Sequence, residues 1–243
     1  MNYRMLIQYD GTKYNGWQRQ QSTDNTIQGK IEAVLSRIAG MPVEIYGAGR
    51  TDAGVHALGQ VANVSLDLPL TATKLRDELN RWLPEDIGIL EVTEAAPRFH
   101  SRLNAIGKVY CYRIATRPEL HVFDRRQLYP FTAPLDVAAM RRAADCFVGE
   151  HDFQGFCTRK TKKSTVRRID RIQIEEMTGE LCITYQGSGF LYNMIRILTG
   201  TLIEVGTGQR SADSMKALLT SKKRADAGFT APARGLTLLK VLY

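Results

Sequence analysis

The densest cluster of chemistry-bearing residues in the chain is Gly47-Ala48-Gly49-Arg50-Thr51-Asp52-Ala53-Gly54-Val55-His56-Ala57. Glycines flanking one arginine and one aspartate allow a tight backbone that a ligand can approach closely. A carboxylate held in such a loop can attack an electrophilic carbon, take a proton or stabilise positive charge. A phosphate cradle fits poorly, because no Lys-Ser/Thr pair ends the run and no helix pattern follows it directly. The spacing alone also suits a turn in which Arg50 and Asp52 form a surface ion pair.

Arg196 is the second candidate. It lies between Ile195 and Ile197 in an otherwise apolar helical pattern, and a buried guanidinium needs an anionic partner. A structural ion pair, or an arginine reaching out to solvent, would satisfy the same need. Tyr110, taken by itself, reads as a strand tyrosine packing against its sheet.

The third feature is charge. The chain carries a formal net charge of +8 over 243 residues, and the excess is clustered. Arg159, Lys160, Lys162, Lys163, Arg167 and Arg168 crowd one segment, with smaller clusters at Arg125–Arg126, Arg141–Arg142 and Lys222–Arg224. The long cluster points to a polyanionic partner, while the short ones suit solvated faces equally well. Cys111, Cys146, Cys157 and Cys182 have no C-x-x-C spacing, and His56, His100, His121 and His151 are scattered, so neither a metal site nor a disulfide framework is expected. Cys111 and Cys182 read as small residues of the core or sheet. No apolar run reaches membrane-spanning length, and Arg4 and Asp10 fall where a signal peptide needs an apolar stretch. The expectation is a cytoplasmic protein without a membrane segment.

Apolar periodicity predicts the elements that must position these residues. Tyr3–Tyr9 alternates as a strand. Asn25 and Gln28 suggest a capping box that opens a helix with an apolar stripe of Ile27, Ile31, Val34, Leu35 and Ile38, stopped by Gly40 and Pro42. A short strand, Val43–Ala48, leads into the glycine-rich run, and Leu58–Leu66 is the next strand. Leu75, Leu79, Trp82 and Leu83 mark a second helix that Pro84 ends, before a strand over Ile87–Val92. The order is β-α-β-β-α-β, the split βαβ arrangement of ferredoxin-like domains. The second half repeats it with a strand over Lys108–Thr116, a helix over Leu135–Phe147 and strands over Val166–Glu175 and Leu181–Tyr185. A long apolar helix over Phe190–Val205, a shorter one from Ser211 and a closing strand over Leu236–Tyr243 complete it. The expected fold class is α+β, with two ferredoxin-like or RRM-like βαββαβ halves, residues 1–103 and 104–243, joined into one large antiparallel sheet with a central cleft.

The segment Gly49–Ala57, followed by Gly59-Gln60-Val61, resembles the signature loop of the tRNA pseudouridine synthase A family. The likeness extends over nearly the whole chain. Tyr9-Asp10-Gly11 with Tyr14 and Gly16–Gln20 is similar to that family's N-terminal motif, and Phe99-His100-Ser101-Arg102 with Lys108 and Tyr110 to the segment between its halves. Gly189–Tyr192, running into Met194–Arg196 and Gly200, is similar to its C-terminal helix, and Ala231–Ala233 with Gly235-Leu236 to its last motif. Five motifs in the same order are far more specific than one.

The resemblance implies roles for individual residues. Asp52 matches the essential aspartate, Tyr110 a tyrosine that stacks on the target base, and Arg196 an arginine that pairs with the aspartate. Arg50 matches an arginine linked to base flipping, and Leu236 a leucine of the pocket wall. Phe99, His100, Ser101, Arg102 and Leu103, together with Lys160, Thr161, Lys162, Lys163 and Ser164, fall where relatives meet tRNA. The implied reaction converts uridine to pseudouridine at positions 38, 39 and 40 of the anticodon stem-loop, with no cofactor and no metal, in a homodimer. The chain departs from the family pattern in Asn193, where a histidine is common, in Leu103-Asn104, where an aromatic-Ser pair is frequent, and in Thr237, where an aromatic is common.

Two other functions fit parts of the sequence. A non-catalytic protein of two RRM-like modules suits topology and charge, but Leu58–Leu66 and Leu181–Gln186 lack the aromatic pattern of such modules. A small-molecule enzyme of ferredoxin-like fold leaves the basic segment unexplained.

Overall fold

The computed structural model describes residues 1–119, 122–159 and 162–243. Packing divides the chain into two compact units, Met1–Ile106 with Thr237–Tyr243, and Gly107–Leu236. The closing strand thus packs with the first unit, whereas a division at residue 103 counts it with the second half. In chain order the elements are β1 (Asn2–Tyr9), α1 (Ile27–Ala39), β2 (Tyr46–Gly47), β3 (His56–Ser65), α2 (Ala72–Trp82), β4 (Ile87–Ala95), β5 (Gly107–Ala115), β6 (Tyr129–Pro130), α3 (Val137–Asp145), β7 (Gly149–Asp152), β8 (Val166–Met177), β9 (Glu180–Gly187), α4 (Met194–Gly206), α5 (Met215–Ser221) and β10 (Leu236–Leu242). This is the expected α+β class, with mostly antiparallel strands.

In the first unit β1 lies between β4 and β3, antiparallel to both. Its alternation puts Tyr3, Met5, Ile7 and Tyr9 in the core, as a strand with period two requires. Ile27, Ile31 and Leu35 of α1 and Leu75 and Leu79 of α2 are also buried. Such side chains contribute roughly 1.5–3 kcal/mol each. The short β2 pairs with β3, and β10 runs beside β3 in a parallel pairing of Thr237 with His56 and Leu238 with Ala57.

Two expectations for this unit need correction. The N-cap of α1 is Thr26, whose side chain accepts from the Gly29 amide at 3.2 Å, and not Asn25. Gln28 is buried and bonded elsewhere. The strand expected over Val43–Ala48 shrinks to Tyr46–Gly47 because its donors go to α1. The Val43 amide donates to Ser36 Oγ at 2.9 Å and the Ile45 amide to Glu32 Oε1 at 3.0 Å.

In the second unit β5 pairs with β9, β9 with β8 and β8 with β7, all antiparallel, and β6 adds to β5 in parallel. The β8–β9 hairpin turns on Gly179, at φ +79°. The long helix is buried almost all round, as its composition predicts. It begins at Met194 rather than Phe190, because Asn193 takes a left-handed conformation, φ 61°, and an α-helix cannot pass through such a residue. Cys111 and Cys182, which the sequence presents as small residues of the core or sheet, have their sulfurs paired between β5 and β9.

Candidate active site

The loop between β2 and β3 is held down on both sides of Asp52. Thr51 is buried, and its hydroxyl shares a 2.8 Å hydrogen bond with the phenol of Tyr9. The Thr51 carbonyl accepts from the Trp17 amide at 3.1 Å, the Asp52 carbonyl from the Val55 amide at 3.1 Å, and the Gly54 amide donates to Tyr14 O at 3.3 Å. Ahead of the loop, Gln60 Nε2 donates to the Gly49 carbonyl at 3.0 Å. Asp52 itself is half-buried. The N-terminal motif therefore serves as the platform for the aspartate loop, and two of the glycines make the close approach possible. Gly16 has φ +92°, and a Cβ there would sit 2.7 Å from the Thr51 carbonyl; a Cβ on Gly47 would sit 2.6 Å from the Trp17 ring. Burial pushes the phenols of Tyr9 and Tyr14 upward, with Asp86 adding to the effect at Tyr14, so both remain neutral hydrogen-bond partners.

Arg50 is exposed but fixed. Its Nε donates to Gln18 Oε1 at 2.9 Å, and Gln18 Nε2 donates to Gln28 Oε1 at 2.7 Å. Gln28 then donates to Glu32 Oε1 at 2.8 Å and to the Ile45 carbonyl at 3.2 Å. Arg19 closes the set by pairing with Glu32 at 3.0 Å. Both donors and both acceptor directions of the Gln28 amide are used, since its oxygen also accepts from the Arg19 amide at 3.0 Å. The sequence suggests a cap role for Gln28, and only the spacing Gln18…Gln28…Glu32 around a buried helix face hints at this network.

The segment after β4 divides into anchored and exposed residues. Ser101 is buried, its amide and hydroxyl both donate to Asn63 Oδ1 at 2.8 Å, and its carbonyl accepts from the Tyr243 phenol at 2.8 Å. Phe99 packs on the Tyr243 ring and His100 on the Tyr46 ring, each at 5.3 Å between centroids. Arg102 and Leu103 are exposed, Leu103 to 78%.

In the second unit Tyr110 is buried on β5, edge-on to Phe190 at 5.5 Å. Arg196 is half-buried on the first turn of α4. Its Nε donates to the Ala231 carbonyl at 2.7 Å and its Nη1 to Asn193 Oδ1 at 3.0 Å. Ala231 N in turn donates to the Arg196 carbonyl at 3.0 Å. These contacts help to aim the guanidinium. Leu236, buried, starts β10.

The basic segment lines an open cleft of about 870 Å³ within this unit. Arg159, Lys162, Lys163 and Ser164 share its wall with Asp152, Lys222 and Arg224. Lys160 and Thr161 lie outside the described residues, as does His121. The structure adds Lys222, which pairs with Asp152 at 2.7 Å; the sequence marks it only as part of a small cluster. That lysine, followed by the Thr165 hydroxyl, holds the Asp152 carboxyl below its ordinary range. Among the described residues no group of three His, Cys, Asp or Glu side chains could hold a metal ion, and no helix is long and apolar enough to cross a membrane.

The family model for tRNA pseudouridine synthase matches residues 5–102 and 143–243, which span the aspartate loop, the Arg196 helix and the last motif. The chain belongs to this family. A tRNA pseudouridine synthase A from a Bacillus species is 50% identical over 238 residues, covering 98% of this chain and 97% of that protein. A tRNA pseudouridine synthase A 2 of Bacillus cereus is 44% identical over 243 residues, covering 100% and 99%. A tRNA pseudouridine synthase A of Brevibacillus brevis is 43% identical over 241 residues, covering 99% and 98%. Among solved structures, a chain of a Cbf5-Nop10-Gar1 complex aligns at TM-score 0.42 and 12% identity; the match takes in 98% of this chain and about half of that one (48%). Family membership makes the protein a pseudouridine synthase, an isomerase acting on uridine in tRNA.

Proposed function

We propose that the substrate site is the anticodon stem-loop, that uridines at positions 38, 39 and 40 are isomerised, and that Asp52 is the catalytic carboxylate. The N1–C1′ bond breaks, the detached base turns, a C5–C1′ bond forms and the C5 proton is lost while N1 gains one. Nothing is oxidised or reduced. The step needs an anionic oxygen beside C1′, and the observation that carries the reading is Asp52 itself. It is a half-buried carboxylate on a loop whose flanking residues are tied to the Tyr9–Trp17 platform.

In this reading a target base in the stem is turned out of its stack, at a cost of a few kcal/mol. Stacking on Tyr110 returns about 1–3 kcal/mol. Arg50 assists the flip, Arg196 favours the charged form of the catalytic carboxylate, and Leu236 contributes to the pocket wall. Phe99, His100, Arg102 and Leu103, with Ser101 as their anchor, and the segment from Lys160 to Ser164 meet the tRNA body. The working form is a cytoplasmic homodimer.

Incubating the protein with unmodified tRNA and mapping pseudouridine tests the assignment. New pseudouridine confined to positions 38, 39 and 40 is expected; modification elsewhere in the tRNA contradicts it. Light scattering at micromolar concentration should give the mass of a dimer, and an active monomer contradicts that part.

A further inference from the structure

We propose that Asn193 is a positioning residue that ties the basic RNA-contacting segment to Arg196, an inference that rests on the catalytic role given to Arg196 above. The two ends of its amide touch the two elements. Oδ1 accepts from Arg196 Nη1 at 3.0 Å, and Nδ2 donates to Thr158 Oγ1 at 2.9 Å. The orientation of the amide follows from its partners. A guanidinium can only donate, so the amide oxygen must face Arg196, and the nitrogen is left for the threonine hydroxyl.

Its neighbour repeats the link. The Arg159 guanidinium lies over the Tyr192 ring, 4.4 Å from the centroid. Consecutive residues ahead of α4 therefore grip consecutive residues of the segment that lines the basic cleft. Asn193 is held at φ 61°, a conformation uncommon outside glycine and most accessible to asparagine among the side-chain-bearing residues. That backbone both sets the start of the helix at Met194 and turns the amide across to Thr158.

The arrangement has a functional consequence. With Nε fixed on the Ala231 carbonyl, the contact of Nη1 with Asn193 Oδ1 helps to set the plane of the Arg196 guanidinium. The amide keeps its oxygen toward Arg196 while Thr158 occupies its nitrogen. RNA phosphates on Arg159, Lys162 and Lys163 hold the segment, and hence Thr158, in place. Occupancy of the cleft is thereby coupled to the aim of Arg196, and the chemical step slows when the bridge is cut even though tRNA is bound.

The test compares Asn193→Gly, which keeps the left-handed backbone and removes the amide, with Thr158→Val, which keeps the shape and removes the hydroxyl. Single-turnover rates on saturating unmodified tRNA are measured beside tRNA affinity by filter binding. Asn193→Gly should lower the rate roughly tenfold, the size of a lost hydrogen bond to a charged group, with affinity changed less than about twofold. Thr158→Val should lower the same rate by a smaller factor. Added to Arg196→Met, Asn193→Gly should cause no further loss. Wild-type rates in both Asn193→Gly and Thr158→Val, beside a crippled Arg196→Met enzyme, would overturn the bridge alone. An Arg196→Met enzyme at full rate would overturn the role of Arg196 and the bridge with it.

Discussion

Gln18 Oε1 accepts a hydrogen bond from Arg50 Nε at 2.9 Å, and Gln18 is itself fixed by Gln28 on the first turns of α1. An exposed arginine normally samples many rotamers, and its ordering carries an entropic cost of up to about 2 kcal/mol. Here the cost is met before substrate arrives. Gln18→Met, which keeps the length and removes both polar atoms, should therefore reduce single-turnover pseudouridine formation by roughly three- to tenfold, less than a buried hydrogen bond to a charged group because the exposed Arg50 regains part of it from water. It should add little to Arg50→Ala. Full additivity of the two losses would show that Gln18 acts elsewhere.

Gly16 is a tight point of the platform. At φ +92°, with a Cβ 2.7 Å from the Thr51 carbonyl, Gly16→Ala strains the backbone and pushes the aspartate loop. A loss of about 1–3 kcal/mol is expected from denaturant midpoints, together with lower activity in the protein that remains folded. An unchanged midpoint would mean that the loop gives way freely.

The elements that the sequence made legible are those with strong periodicity. Tyr3–Tyr9 alternates, Ile27 to Ile38 recurs on one helical face, and the apolar run after Phe190 has no polar face to expose. The glycine-rich loop stands out by its density of glycines around an arginine and an aspartate, but its spacing suits a surface turn equally well, and the resemblance of its neighbouring motifs is what singles it out. What holds that loop was not visible, because Tyr9, Gly16 and Trp17 reach Thr51 only through tertiary packing. The place of Gln28 is hidden for a related reason: a glutamine three residues after Asn25 looks the same whether it caps a helix or joins a buried network. The start of α4 moved because helix propensity is blind to a single left-handed residue at Asn193. Lys222 and Asp152, seventy positions apart, meet only in the fold.

Replacing Lys160, Lys162 and Lys163 by alanine should weaken tRNA binding and flatten its dependence on salt. The log–log slope should fall by about one unit for each lost phosphate contact. Filter binding across a salt series measures it. An unchanged slope would return the segment to a merely solvated face.

Asp152 supplies a pH test of the cleft wall. Lys222 and Thr165 hold its carboxyl below the ordinary value of 3.8. A carboxylate whose folded pKa is depressed stabilises the fold above its unfolded pKa, and that contribution is lost as pH falls through the folded value. The urea midpoints of wild type and Asp152→Asn should therefore differ at pH 6 and converge as pH drops below the carboxylate range. The gap should be modest, and smaller still in high salt, because Lys222 is half-exposed. An equal gap at both pH values would contradict the pairing.

In the proposed reaction the carboxylate of Asp52 carries the chemistry. Asp52→Asn keeps the size and loop geometry while removing the charge. Pseudouridine formed on saturating unmodified tRNA, measured in one turnover with purified and sequence-verified protein, decides the matter. No detectable product is expected, with tRNA binding and thermal midpoint close to wild type. Product at the wild-type rate would contradict it.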